Sequence, residues 1–91
     1  MDPHEAYFRS LPLRERHLLA LREILYEGSW DEMVQDLLAR KEGKPFVYKL
    51  NACIEEDLGR IEKLRSYEAQ HGVNLGSYVV LSVQPEASRE E

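Results

Sequence analysis

Between Leu11 and Leu25 apolar residues recur every three or four positions, at Leu13, His17/Leu18, Leu21 and Ile24/Leu25, which is the spacing that lines one face of an α-helix. This stripe predicts a helix that opens at Leu11-Pro12 and stops at Gly28, where glycine's freedom at positive φ suits a helix end. Ahead of it, Asp2-Pro3-His4-Glu5 has an N-cap aspartate, a first-turn proline and an acid at the positive helix end, predicting a short helix through Arg9. After it, Ser29-Trp30-Asp31-Glu32 has the spacing of a capping box. The helix that follows would bury Trp30, Met33, Val34, Leu37 and Leu38, and Lys41-Glu42-Gly43-Lys44-Pro45 would stop it.

From about Phe46 to His71, Val47, Leu50, Ile54, Leu58, Ile61, Leu64 and Tyr67 fall on one side of a long helical pattern, with Gly72 as its C-cap. The opposite side carries Glu55, Glu56, Arg60, Glu62, Lys63 and Ser66, a face suited to water. Tyr78-Val79-Val80-Leu81-Ser82-Val83 breaks the texture, because a β-branched and aromatic run after the Asn74-Leu75-Gly76 turn favours a strand. Such a strand has two candidate partners. One is Phe46-Val47-Tyr48-Lys49-Leu50, if the long helix begins near Asn51; the other is the same strand in a second subunit, antiparallel across a two-fold axis. Residues 46 to 50 therefore stay open between helix and strand. The expected fold is mainly α, three to four helices with a short C-terminal β-strand. Residues 1–83 form a single helical domain and 84–91 a flexible tail without apolar periodicity.

A chain of 91 residues builds one core, and buries so little of its unfolded surface that docking on a second copy would add much to its stability. Self-association, as a homodimer or larger homo-oligomer, is the expectation that follows. The net charge of −5 repels phosphate backbones, so nucleic acid is a disfavoured partner. No apolar run approaches a membrane span, and the charged N-terminus does not read as a signal peptide. With Cys53 the one cysteine, no internal disulfide is possible, which points to the reducing cytoplasm. Abundant Glu, Arg and Leu with few Asn, Gln and Cys give the composition a thermophile-like cast.

Catalysis needs convergent groups, whereas His4, His17 and His71 are scattered over different predicted helices. His17, on the apolar side of its helix, reads as a boundary histidine, and Cys53 as a small buried hydrophobe. Glu68 and His71 have the i, i+3 spacing that lets a carboxylate and an imidazole share a metal, as in di-iron bundles. The place of His71 in the last helical turn, where a cation suits the helix dipole, gives the simpler account. Glu55-Glu56-Asp57 are consecutive and so point in three directions on a helix, a poor cage for a hard cation. No catalytic residue, cofactor or metal is assigned.

Leu11 to Leu37 reads LPLRERHLLALREILYEGSWDEMVQDL. Through Leu11, Pro12, Arg14, Glu15, Arg16, Leu18, Leu19, Leu21, Arg22, Glu27, Gly28, Ser29, Asp31 and Glu32 this segment resembles the opening of the promoter-reading C-terminal domain of bacterial sigma factors. The resemblance implies a tri-helical helix-turn-helix scaffold and, as an alternative function, DNA-binding regulation of transcription. Arg40, Lys41, Lys44 and Lys49 would then form the basic spot on the phosphate backbone. The chain departs from the family where DNA would be read: Glu42 to Leu50 stands in place of the recognition-helix start, with three acids following.

The reading that follows from the residues is a small non-catalytic protein-interaction or regulatory module that self-associates. Its expected interface is Tyr78, Val79, Val80, Leu81 and Val83, supported by Leu58, Ile61 and Leu64. A helical metal-binding protein using Glu68 and His71 is the third possibility.

Overall fold

The computed structural model describes residues 2–47 and 53–79. These residues are mainly helical: α1 (Pro3–Ser10), α2 (Leu13–Leu25), α3 (Trp30–Lys41) and α4 (Ile54–His71). Residues 76–79 turn helical again. Each boundary has a local cause. Asp2 caps α1 by accepting from the His4 amide at 3.2 Å. Pro12 precedes α2, its carbonyl taking the amides of Glu15 and Arg16. The α2–α3 turn passes through Glu27 and Gly28, at φ 52° and 80°, and the Gly28 amide returns to the Arg22 carbonyl at 2.9 Å. Ser29 then accepts from the Glu32 amide at 3.1 Å. Only half of the expected capping box forms, because the Ser29 amide is taken by the Tyr26 carbonyl at 2.9 Å.

The helix α4 starts at Ile54, later than the apolar pattern from Phe46 suggests, and Phe46 and Val47 are neither helical nor in a strand. Pro45 cannot continue α3, while Glu55, Glu56 and Asp57 suit the positive end of a helix beginning at Ile54. The rest of the 46–50 segment lies outside the described residues. Gly72, left-handed at φ 65°, ends α4 by donating its amide to the Glu68 carbonyl at 2.8 Å.

Of the strand expected at 78–83, Tyr78 and Val79 are helical and the other four residues lie outside the described set. The physical reason for the helical start is local: Asn74 accepts the Gly76 amide on its side chain and the Ser77 amide and hydroxyl on its carbonyl. That starts a helical turn before the β-branched run begins.

The helix α4 packs against both α2 and α3. One core joins Phe8, Leu11, Leu18, Leu19, Tyr26, Trp30, Met33, Leu37, Ile61, Leu64, Leu75 and Val79. The helix α1 lies over the C-terminal half of α4, where Tyr7 stacks on Tyr67 with ring centroids 3.8 Å apart and planes 2° from parallel. None of the helices among the described residues is long and apolar enough to cross a membrane.

Candidate interaction surface

The face of α2 turned to the core carries Glu15, Leu18, Leu19 and Arg22. It shares Leu18 with the stripe that the periodicity picks out, and Leu21 and Leu25 of that stripe pack against the core, but Leu13, His17 and Ile24 do not. Leu13 keeps 59% of its surface exposed and Ile24 keeps 73%, and His17 between them is exposed as well. Leu13, His17 and Ile24 therefore form a second, exposed row on the solvent side of the helix, flanked by Ala20 and Leu21, which are half-buried against the core. Ala20, the smallest of them, leaves a shallow hollow of about 240 Å³ bounded by His17, Leu21 and Ile24. The signal was present in the sequence: Leu11 to Leu25 holds more apolar residues than one buried stripe can use, as in a helix that docks on two sides.

The polar side chains, in contrast, are spent inside the fold. Arg22, only 2% exposed, donates to Glu68 at 2.8 Å, to Glu23 at 3.1 Å and to Asn74 at 2.5 Å, and its guanidinium lies 4.3 Å from the Trp30 ring centre. Glu68 in turn accepts from Trp30 Nε1 and from the Leu75 amide, each at 2.8 Å. Asp57, with no exposed surface, is held by Arg14 and Arg60, each at 2.7 Å. Lys63 reaches Glu15 at 2.6 Å. These networks tie the helices together.

The Glu68–His71 pairing does not form. Glu68 faces Arg22 and Trp30, whereas the His71 ring lies 4.2 Å from Tyr67 and 5.3 Å from His4. Glu55, Glu56 and Asp57 also separate, toward Lys41, Arg60 and the buried Arg14 pair respectively. No group of three metal-ligating side chains occurs among the described residues. Cys53 is exposed, not buried, because it precedes α4 instead of lying within it.

The residues expected at an interface have other positions. Ile61, Leu64 and Val79 are buried in the chain's own core, and Leu58 and Tyr78 are half-buried against it. Ile61, Leu64 and Val79 are thus spent within the chain, whereas Leu58 and Tyr78 keep part of their surface open. Val80, Leu81 and Val83 lie outside the described residues. Tyr78 donates its hydroxyl to Asp2 at 2.7 Å, which raises the phenol to about 12 and, with the His4 amide, lowers the Asp2 carboxyl below its ordinary 3.8.

Of the basic residues, Lys41 pairs with Glu55, Lys44 pairs with Glu42 at 3.1 Å, and Arg40 lies 5.0 Å from the centre of the Phe46 ring. Lys49 lies outside the described residues. A separate open groove of about 390 Å³ runs between Tyr26, Glu32, Asp36, Ala39 and Val47, with Asp36 already accepting from the Tyr26 hydroxyl and the Val47 amide. Compared with protein-family models, with curated proteins and with solved structures, the chain matches none.

Proposed function

We propose that this chain is a non-catalytic protein-interaction module that self-associates through the solvent side of α2. The observation that supports it is the two-sided apolar character of that helix. Leu18 and Leu19 fill the core, and Leu13 and Ile24 stand in water on the opposite side, joined into one strip by the exposed His17 and the uncovered parts of the half-buried Ala20 and Leu21. Scattered apolar residues on a surface are ordinary, but a continuous strip along a helix marks a docking face. A second copy is the natural occupant because a domain this small gains a large fraction of its stability from covering such a strip.

The test is molar mass by light scattering across a dilution series. The unaltered chain should move from monomer toward dimer as concentration rises, and Ile24→Glu should stay monomeric with an unchanged circular dichroism spectrum. Ile24 is the right position because its side chain is 73% exposed and contributes little to the fold. A chain that is monomeric at every concentration, or an Ile24→Glu variant that dimerises as before, would overturn the reading.

A further inference from the structure

The strip has an internal symmetry that specifies how its partner lies. Leu13, His17, Ala20 and Ile24 are separated by four, three and four residues, the alternation of seam positions in a coiled coil, and the series reads the same in both directions. The helix α2 is therefore complementary to its own reverse. We infer that two copies pair through antiparallel α2 helices across a two-fold axis. Leu13 then packs on Ile24 of the partner subunit, and His17 on Ala20 of the partner subunit, the bulky ring entering the hollow that alanine leaves. This rests on the reading of α2 as the self-association face.

Charge supports the same arrangement. Arg16 and Glu23 flank the strip on one side, seven residues apart, and the seam spacing puts both at the position that faces its own equivalent in an antiparallel pair. Arg16 therefore meets the partner's Glu23, and the two-fold axis makes the contact twice. The Arg16 side chain has no hydrogen-bond or ion-pair partner among the described residues, and its Nε is buried without an acceptor. Glu23 is bound to Arg22 through Oε2 and keeps part of its carboxylate in water. A parallel pair would bring these flanking charges opposite Leu21 and Gly28 and satisfy neither. With α2 about 20 Å long by its rise per residue, the seam is short and the dimer is of the weak, concentration-dependent kind.

A charge-swap mixture tests the orientation. Arg16→Glu alone sets two acids against each other twice, and Glu23→Arg alone sets two bases, so each variant should dimerise roughly tenfold more weakly or worse. Mixed together, the two variants should form a heterodimer, because each then supplies the charge the other lacks. Glu23→Arg also disturbs Arg22, so a second route is needed. In a Cys53→Ser background, chains carrying His17→Cys and Ala20→Cys should form a mixed disulfide faster than either chain joins to itself.

Heterodimer selection together with the mixed disulfide supports the antiparallel register. Preferential joining of Ala20→Cys chains to each other, with dimerisation indifferent to the charge swaps, overturns it. In that case loss of the dimer in Ile24→Glu would still stand for the face itself. Dimerisation that survives Ile24→Glu fails both readings.

Discussion

A hydrogen bond between two groups at the surface shows its presence through titration more clearly than through stability, and the Tyr78–Asp2 contact is of this kind. The hydroxyl of Tyr78 donates to the Asp2 carboxylate at 2.7 Å across 76 residues of sequence, fastening the start of α1 to the turn after α4. The phenol is held at about 12, first by that bond and then by desolvation, and the Asp2 carboxyl lies below 3.8 for the same reason. Since the carboxyl is lowered on folding, its contribution is full above its ordinary value and fades as pH falls through the folded one. Since the phenol is raised, its contribution is full below 10.0 and is lost as pH rises through about 12. The contact is thus intact across the neutral range and is lost at both extremes. Tyrosinate absorbance should show a late step near 12 that loses one phenol in Tyr78→Phe. An identical alkaline profile in that variant would mean that the bond does not form in solution.

At the scale of elements, one half-buried carboxylate joins more of the fold than its size suggests. Glu68 of α4 holds Arg22 of α2, Trp30 of α3 and the amide of Leu75 beyond the Gly72 cap, so three helices and a turn meet at its two oxygens. Removing it by Glu68→Ala leaves a guanidinium that is 2% exposed with part of its charge unanswered and orphans an indole N–H and an amide. The expected loss is about 3–5 kcal/mol in urea unfolding, a large part of what so small a domain has. Glu68→Gln keeps acceptor capacity and should lose less. A change below about 0.5 kcal/mol for the alanine variant would show that water replaces the carboxylate at this junction.

How far elements can be read from sequence depends on whether the cause is local. Asp2, Ser29, Gly28 and Gly72 act within a turn of where they stand, and each marks its helix end where expected. Periodicity places α2 but blurs its orientation, because both of its sides are apolar: Leu18 of the expected stripe lies in the core, whereas Leu13 and Ile24 face water. The inward side also carries Arg22, whose partners Glu68 and Asn74 lie 46 and 52 residues away and leave no local trace. Cys53 and the start of α4 were obscured for a different reason. The apolar residues from Phe46 continue the helical spacing, and the later start follows from the acids that place the helix's positive end at Ile54.

At the scale of the molecule, stability and association become one quantity. Among the described residues the helices lean on a single core of a dozen side chains, and the largest apolar side chains left uncovered on α2 are those the proposed pairing would cover. A partner that binds only the folded chain stabilises it by mass action, so a dimer's melting temperature depends on protein concentration whereas a monomer's does not. The unaltered chain should therefore melt higher as its concentration is raised, by a few degrees over a hundredfold range if the dimer is weak. Ile24→Glu should melt at one temperature throughout, matching the dilute limit of the unaltered chain, because Ile24 contributes little to the monomer's own packing. Parallel curves for the two proteins would separate stability from association and leave the strip on α2 without a role in either. Convergence of the curves on dilution, with divergence on concentration, would locate the missing part of the core in the second copy.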